Sequence, residues 1–250
     1  QGELSAGQLR DIRIEDLLGR PVIELDHTAI AQQVRGARII VTGGAGSIGS
    51  ELVMQALARG AAEVLALDIA ETPLHDLGLI ARTRLGQKAE NLTLRIADVR
   101  DTHGLDALIA AFAPDVVYHA AAYKHVPVME VQPEAAWQTN VMGTANVIRA
   151  AQQAKTGTFV LISTDKAVNP TSIMGASKRM AELVVRSIGE ASGMHCVITR
   201  FGNVLDSNGS VIPLFRRQIE AGGPVTLTHP DVTRYFMRSE ERRVGKECRS

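Results

Sequence analysis

The stretch Thr42-Gly43-Gly44-Ala45-Gly46-Ser47-Ile48-Gly49 separates a β-branched run from a segment with helical spacing, and it decides the fold. Its glycines have the spacing Gly-x-x-Gly-x-x-Gly, and each is expected to have a different role. Gly43 permits a tight strand-to-helix turn, and Gly46 allows the backbone to approach an anion closely. Gly49 allows the helix to pack on the sheet. The N–H groups and partial positive charge at the start of the helix attract a pyrophosphate. We therefore expect a dinucleotide-binding turn, with contacts from Thr42, Gly43, Gly46, Ser47, Ile48 and Gly49.

A carboxylate follows at the distance needed to recognise the ribose of such a dinucleotide. Asp68 ends the next β-branched run, about 20 residues beyond the turn, where its oxygens can accept both adenosine-ribose hydroxyls. The same charge repels a 2′-phosphate, so the sequence favours NAD over NADP. The alternative is a glycine-rich turn needed only for chain reversal, with Asp68 as a helix cap.

Further coenzyme contacts are expected after the third and fourth runs. Asp98, followed by Val99, comes after the third run and either meets the adenine edge or caps a helix. Ala120 and Ala121 come after the fourth run. Because ligands of open parallel sheets bind at the carboxyl edge of the strands, we expect all four residues beside the coenzyme.

Short β-branched runs alternate with longer helical segments along most of the chain. Right-handed crossovers then require a parallel sheet with helices on both faces. The predicted fold class is α/β, a doubly wound parallel sheet of the Rossmann type. The predicted strands are 38–42, 63–68, 92–97, 116–119, 158–163 and 195–200, and the helices include 47–59, 134–154 and 174–192.

Composition narrows the class of protein further. The 250 residues are 45% hydrophobic and carry 27 basic and 27 acidic side chains, and this balance argues against nucleic-acid binding, which depends on many Lys and Arg contacts to phosphate. Two cysteines give no disulfide framework and fit the reducing cytoplasm, and no metal site is indicated. No apolar run approaches the roughly 20 residues that cross a bilayer, so we expect no membrane contact by this segment.

Chemically active side chains concentrate at the end of the fifth strand and the start of the next helix. The strand leads into Thr164-Asp165-Lys166, and the helix contains Met174-x-x-x-Lys178, whose two ends share one helix face. An adjacent acid and base can act as proton donor beside proton acceptor once substrate closes the site and shifts both pKa values. The alternative is a solvated ion pair.

The glycine spacing, with His119-Ala120-Ala121-Ala122 and Asn140-Val141-Met142-Gly143-Thr144, resembles the extended branch of the short-chain dehydrogenase/reductase superfamily, which acts on nucleotide-sugars. In most members of that superfamily a Tyr-x-x-x-Lys pair opens the helix after the fifth strand, and its lysine lowers the tyrosine pKa and holds the nicotinamide ribose. Met174 stands at the tyrosine position and cannot exchange a proton, whereas Lys178 is present.

Thr164-Asp165-Lys166 together with Met174-x-x-x-Lys178 closely resembles the CapD-like polysaccharide-biosynthesis family, the UDP-N-acetylglucosamine 4,6-dehydratases of the retaining, methionine-bearing kind. The likeness extends from about residue 15 to residue 237. It includes Leu18-Gly19-Arg20-Pro21, Tyr123-Lys124-His125-Val126-Pro127, Arg200-Phe201-Gly202-Asn203-Val204 and Arg234-Tyr235-Phe236-Met237.

This resemblance implies a redox-neutral elimination with tightly bound NAD. Hydride leaves the sugar C4 for the coenzyme, the resulting 4-ketone acidifies the C5 proton, and hydride returns to C6 after water has left. Lys166 would remove the C5 proton, Asp165 would protonate the departing C6 hydroxyl, and Thr164 and Lys178 would handle the C4 hydroxyl proton. The residues leave open a nucleotide-sugar epimerase or reductase, against which Met174 argues, and a non-catalytic dinucleotide-binding module.

Four residues are expected at a UDP-N-acetylglucosamine-type substrate. Lys124 and His125 follow the fourth strand and either meet the sugar or its phosphates or form a solvated surface loop. Asn203 resembles the family's pyrophosphate or glycosyl contact, and Arg234 offers a guanidinium fork to the diphosphate. By analogy with relatives, we expect a homo-oligomer formed through the two long helices.

Four segments are expected along the chain: a leading segment over 1–35, an NAD-binding Rossmann domain over 36–200, a partial nucleotide-sugar-binding lobe over 201–237, and an atypical charged tail over 238–250. The tail is either a solvated helix or a stretch foreign to the fold. Because the chain begins with Gln1, we expect it to be part of a longer protein, in which a preceding region could tether the parent to the inner membrane.

Overall fold

A computed structural model describes residues 27–204, 211–226 and 236–237, which fall into two units, 27–202 and the remainder. The larger unit contains a six-stranded parallel sheet with the strand order β3-β2-β1-β4-β5-β6. Its strands are β1 Arg38–Thr42, β2 Glu63–Asp68, β3 Leu92–Ile96, β4 Val116–His119, β5 Thr158–Thr164 and β6 His195–Phe201. All six predicted strands and the predicted doubly wound class are thereby confirmed.

Helices connect successive strands of this sheet, as right-handed crossovers require. Helix α1 His27–Val34 precedes β1, and the connecting helices are α2 Ser47–Ala58, α3 Glu71–Leu85, α4 Thr102–Phe112, α5 Val126–Val131, α6 Pro133–Ala136, α7 Gly143–Gln153 and α8 Ile173–Ser192. None of the helices in the described ranges has both the length and the apolar character needed to cross a membrane.

The predicted helix over 134–154 contains an irregular turn that the sequence did not predict. Helices α6 and α7 are joined by a π-helical turn, Trp137–Met142, in which the backbone hydrogen bonds span one residue more than in an α-helix. The turn contains Asn140, which is fully buried. Irregular turns of this kind are frequent at functional sites.

The middle of the sheet is covered on both faces, which explains why its central strands β1, β2, β4 and β5 are largely apolar. Alternate residues of β1 point to opposite faces, so Ile40 belongs to one buried cluster whereas Ile39 and Val41 belong to the other. Phe159 and Leu161 in β5 are fully buried in the first of these clusters. A sheet buried in this way exposes functional groups only at its edges and strand ends.

The smaller unit pairs two short parallel strands, β7 Asn203–Val204 and β8 Phe236–Met237, and contains the helix α9 Val211–Glu220. Arg234, the charged tail and residues 1–26 lie outside the described residues. Of the leading segment, residues 27–34 form α1, whose eight residues are too few to give a clear periodic pattern in the sequence. The predicted segment boundaries stay a prediction.

Candidate active site

The glycine-rich turn between β1 and α2 leaves no room for a side chain at Gly43 or at Gly49. Gly43 has φ +65°, and a Cβ there would lie 2.6 Å from the Ala121 nitrogen and 2.7 Å from the Ala120 carbonyl carbon. A Cβ on Gly49 would collide with the Gly43 carbonyl oxygen. The turn therefore rests on the end of β4 on one side and on α2 on the other.

The first turn of α2 directs backbone donors to the carboxyl edge of the sheet. Gly46 is the N-cap with extended dihedral angles, φ −71° and ψ 167°, and it has no side chain to cap the helix. Ser47 and Ile48 are in the first turn of the helix, where backbone N–H groups have no acceptor within the helix. This arrangement of donors and helix dipole fits a pyrophosphate.

Asp68 is attached to the glycine-rich turn through its carboxylate. One oxygen accepts the Ala45 N–H at 3.0 Å, and the other accepts the Ala70 N–H at 3.0 Å. A carboxylate has about four acceptor positions, so these two bonds leave capacity for two ribose hydroxyls. The N-cap of α3 is Ala70, so the alternative of Asp68 as the helix cap is wrong.

Asp98 forms an ion pair instead of a helix cap. Arg100 donates to both of its carboxylate oxygens through Nε at 2.9 Å, and these hydrogen bonds hold the pKa of Asp98 below its usual value. The N-cap of α4 is Asp101, which accepts the Gly104 N–H at 3.1 Å, so the capping alternative for Asp98 is wrong. The neighbouring Val99 is buried.

The buried His119 links the end of β1 to the long helix by hydrogen bonds to two threonine hydroxyls. Its Nδ1 lies 2.6 Å from the Thr42 hydroxyl and its Nε2 lies 2.9 Å from the Thr144 hydroxyl. The Thr144 hydroxyl donates to the Asn140 carbonyl, so it must accept from Nε2–H, and Nδ1 then accepts from Thr42. Burial, assisted by the charge of Lys178, lowers the pKa of His119 to about 3, which keeps the ring neutral.

Asn140 fixes the loop after β4, which carries two of the predicted substrate residues. Its side-chain oxygen accepts the Tyr123 N–H at 2.8 Å, while its Nδ2 donates to the Tyr123 carbonyl at 3.0 Å and to the Ser177 hydroxyl at 2.9 Å. Lys124 and His125 follow on this loop and are exposed. Partial burial lowers the pKa of Lys124.

The predicted acid–base pair forms at the carboxyl end of β5. The Lys166 Nζ donates to Asp165 Oδ1 at 3.0 Å, and the Thr164 hydroxyl donates to the same oxygen at 2.9 Å. The side chains of Lys166 and Asp165 are 35% and 27% exposed, so a ligand can reach both. Thr164 Oγ1 also accepts the Lys166 N–H at 3.4 Å, which closes a compact turn.

This turn packs against the start of α8 through a glycine that the sequence analysis did not single out. A Cβ on Gly175 would collide with the Lys166 carbonyl oxygen and lie 3.2 Å from both the Lys166 carbonyl carbon and the Ser172 Oγ. Ser172 caps α8 by accepting the Gly175 N–H at 3.1 Å. The absence of a side chain at Gly175 thus lets the acid–base pair lie against the helix that carries Lys178.

Lys178 is 5% exposed and donates from Nζ to the Ile162 carbonyl at 2.7 Å. Burial lowers the pKa of Lys178 to about 8, against the opposing effect of the nearby Glu182 charge. Met174, one helical turn earlier, is buried and packs with Met129 and Ala136 in a small apolar cluster. At the position of the superfamily tyrosine, this chain therefore has a packed hydrophobic side chain.

Glu182 is a fully buried carboxylate that the sequence analysis missed. It accepts from the Ser163 hydroxyl at 2.7 Å, from Arg200 at 2.8 and 2.6 Å, and from Arg179 at 3.0 Å. Burial alone would raise the pKa of Glu182, but these hydrogen bonds outweigh it and lower the pKa. An acidic residue four positions after Lys178 on the buried face of a helix was the available signal.

The larger unit contains most of the predicted site residues, distributed over the carboxyl ends of its neighbouring strands. The turn after β1, the pair Ala120 and Ala121 after β4, and the acid–base pair after β5 follow three adjacent strands. Asn203 begins the smaller unit, and Arg234 is outside the described residues. Within the described ranges, no group of three or more His, Cys, Asp or Glu residues is arranged to hold a metal ion.

Comparison with known proteins matches the chain to one family and to individual relatives. The sequence pattern of the family described as "Polysaccharide biosynthesis protein" matches residues 39–243. The chain is 49% identical over 236 residues to the probable polysaccharide biosynthesis protein EpsC of Bacillus subtilis and 46% identical over 237 residues to the capsular polysaccharide biosynthesis protein CapD of Staphylococcus aureus. Each match covers 94% of this chain and 39% of the relative, so the chain spans well under half the length of these relatives.

A solved structure with a similar fold is DesIV of Streptomyces venezuelae, a dTDP-glucose 4,6-dehydratase with NAD bound. The TM-score is 0.72 at 28% identity, over 82% of this chain and 70% of that one.

Proposed function

The chain belongs to the polysaccharide biosynthesis protein family, within the extended short-chain dehydrogenase/reductase superfamily, and from this premise we propose that it catalyses the NAD-dependent 4,6-dehydration of a UDP-N-acetylglucosamine-type nucleotide-sugar. The observation that carries the proposal is the bonded pair of Asp165 and Lys166 beside a helix in which Met174 replaces the superfamily tyrosine. A site without the tyrosine but with an accessible acid and base suits elimination better than simple alcohol oxidation.

The residues around the glycine-rich turn fit NAD. The donors of α2 suit its pyrophosphate, the Asp68 carboxylate suits the adenosine ribose and disfavours a 2′-phosphate, and Lys178 suits the nicotinamide ribose. Bound NAD supplies a hydride acceptor and donor, which makes the C5 proton acidic by creating a ketone at C4.

The acid–base pair can carry out the elimination without any change in its total number of protons. With one shared proton, the pair exists as carboxylate and ammonium or as carboxylic acid and amine, and the 3.0 Å bond between Lys166 Nζ and Asp165 Oδ1 connects the two forms. Bound substrate that covers the pair and excludes water would favour the uncharged form, because burial destabilises ionised groups. The amine then takes the C5 proton, the acid protonates the C6 hydroxyl, water leaves, and the ion pair is restored.

Thr164 and Lys178 are the other two residues proposed to take part in the reaction. Thr164 fixes the Asp165 carboxylate through its own hydroxyl, and its position one residue before the pair suits a contact with the C4 hydroxyl. Lys178 is held by the Ile162 carbonyl and keeps further N–H donors for a ligand. Lys124, His125, Asn203 and Arg234 remain the proposed contacts to the nucleotide-sugar.

The decisive experiment follows the mass and isotope content of the product. Incubation with UDP-N-acetylglucosamine deuterated at C4 is expected to give loss of one water and deuterium in the C6 methyl group. An isomer of unchanged mass would indicate an epimerase, and bound NAD without turnover would indicate a binding module. Either result would refute the proposed reaction, as would deuterium missing from the methyl group.

Substitution of the proposed base tests the roles within this reaction. Lys166→Ala should retain coenzyme binding and abolish elimination, whereas Lys155→Ala, an exposed lysine before β5 at the opposite edge of the sheet, should retain both. A Lys166→Ala variant that still forms the 4-keto-6-deoxy product at the rate of the unchanged protein would contradict the assignment.

We also expect self-association through the predicted long helices. Ile173, Met180 and Leu183 form an exposed apolar stripe along α8, and Trp137 is half-exposed on the neighbouring helix. Leu183→Glu should therefore lower the molar mass seen in light scattering; an unchanged mass would argue against this face.

A further inference from the structure

Glu182 is a buried charge for which the proposed reaction gives no use. The side chain is 0% exposed, and its hydrogen-bond donors come from three elements: Ser163 in β5, Arg200 in β6 and Arg179 in α8. Replacing a buried ion-pair cluster by apolar side chains of similar volume is often neutral or stabilising. Packing alone therefore does not require a carboxylate at this position.

The hydrogen bonds of Glu182 hold the strand ends from which the acid–base pair emerges. Ser163 and Arg200 are direct partners in the register of β5 and β6, and Glu182 binds both side chains. Ser163 is followed by Thr164, where the turn carrying Asp165 and Lys166 begins. Because Asp165 and Lys166 follow Ser163 by two and three residues, a displacement of Ser163 relative to α8 would also displace them.

Glu182 also lies one helical turn from Lys178, on the same buried side of α8. Lys178 donates to the Ile162 carbonyl, and Ile162 precedes Ser163, so one short segment of β5 binds both side chains. Charged or titratable groups on α8 and on the elements around it are His119 in β4, Glu130 in α5, Glu134 in α6, Arg149 in α7, Asp165 and Lys166 after β5, His195, Cys196 and Arg200 in β6, and Lys178, Arg179, Glu182, Arg186 and Glu190 in α8. Among these, Glu182 is the fully buried carboxylate.

We propose that Glu182 is a positioning residue of the reaction centre, whose hydrogen bonds to Ser163 and Arg200 hold the acid–base turn against α8 and whose buried negative charge keeps Lys178 protonated. The inference deepens the proposed 4,6-dehydration and rests on it for the role of the turn. Its electrostatic half stands independently, because the protonation state of Lys178 is measurable without turnover.

Two substitutions separate the charge of Glu182 from its geometry. Glu182→Gln keeps the shape of the side chain and removes the charge, whereas Glu182→Asp keeps the charge and shortens the side chain by one methylene. Ser163→Ala removes one hydrogen bond and leaves the charge intact, and the loss of one such bond leaves a folded protein. The matched control is Glu190→Gln, an exposed glutamate on the same helix.

The first measurement is the titration of Lys178 by NMR of protein with 13C-labelled lysine side chains, with the resonance assigned by its loss in Lys178→Arg. We expect a midpoint near pH 8 in the unchanged protein. Glu182→Gln should lower the midpoint by about one pH unit or more, because a buried opposite charge within a helical turn favours the ammonium form. Glu182→Asp, Ser163→Ala and Glu190→Gln should leave it in place.

The second measurement is the rate at which solvent deuterium appears at C5 of the 4-keto-6-deoxy product. Ser163→Ala and Glu182→Asp should slow it by roughly 10-fold with little change in coenzyme affinity, because displacement of a proton-transfer group costs rate steeply. Glu190→Gln should not slow it.

An unchanged Lys178 midpoint in Glu182→Gln, or exchange at the original rate in Ser163→Ala and Glu182→Asp, would overturn the inference. If Glu182→Gln fails to fold, exchange at the original rate in the other two variants still overturns it. Absence of any dehydration in the unchanged protein refutes the proposed function instead, while the NMR titration continues to test the electrostatic role.

Discussion

Replacement of Gly175 by alanine tests whether the contact between α8 and the acid–base turn sets the rate of elimination. A Cβ at this position would collide with the Lys166 carbonyl oxygen, which is main chain and cannot rotate away as a side chain could. Relief of the collision requires the Asp165–Lys166 turn to move by an amount on the order of 1 Å. Such a misplacement costs about 100-fold in rate, so we expect elimination to slow by that factor.

The same substitution should leave the protein folded, because two energetic effects oppose each other. Overpacking costs about 1–3 kcal/mol. Replacement of a glycine in a helix by alanine raises the free energy of unfolding by about 1 kcal/mol, since alanine has the higher helix propensity. The expected net loss of unfolding free energy is therefore on the order of 0–2 kcal/mol, which urea denaturation can measure.

The assay compares solvent deuterium exchange at C5 with coenzyme affinity. Gly175→Ala should slow exchange and change coenzyme affinity little, because the groups proposed for the pyrophosphate and the adenosine ribose follow other strands and Lys178 stays bound to the Ile162 carbonyl. The matched control is Gly189→Ala on the same helix, where a Cβ would press on the movable Cys196 side chain, 2.6 Å from its Sγ. If Gly175→Ala eliminates water as fast as this control, the contact does not position the pair.

Three further predictions concern the coenzyme turn and the buried core. Gly43→Ala should weaken NAD binding by about 100-fold or more in a calorimetric titration, because φ +65° and the contact with Ala121 both exclude a Cβ. The control Gly86→Ala, at φ +53° with open space around it, should not weaken NAD binding. Equal affinities in the two variants would refute the argument. Asp68→Asn should narrow the preference for NAD over NADP by about 10-fold, since it removes the charge that repels a 2′-phosphate, and an unchanged ratio in parallel titrations would contradict this. The pKa of His119 is about 3 in the folded protein, below the ordinary 6.5, so between these pH values the unfolded state binds one more proton and stability falls as pH falls. Denaturation measured from pH 7 to 3 should reveal a loss of unfolding free energy of about 5 kcal/mol that is absent in His119→Asn. An equal loss in the variant would exclude His119 as its source.

The strands and the acid–base pair were predictable because their evidence is local. Strands buried on both faces need near-continuous apolar and β-branched residues, as in the run from Thr158 to Ser163, and such runs are visible in the sequence. Asp165 and Lys166 are neighbours in the chain, so their proximity needed no fold to establish it.

The contacts that hold this pair were not predictable, because they join residues far apart in the chain. Glu182 binds Ser163 and Arg200 across 19 and 18 residues, and Gly175 contacts the backbone of Lys166 through the packing of a helix on a turn. The sequence likewise left open whether Asp98 caps a helix, and the backbone geometry gives that role to Asp101 instead.

The π-helical turn Trp137–Met142 sets the rotational phase of the long helix that contains it. Each residue of an α-helix advances the side chains by about 100°, so regular α-helical winding of the same residues would rotate the part after the turn by about 100° against the part before it. Asn140, inside the turn, binds Ser177, whereas Thr144, after it, binds His119. Regular winding would turn these two side chains in different relative directions, so the irregular turn is what allows both contacts to form together.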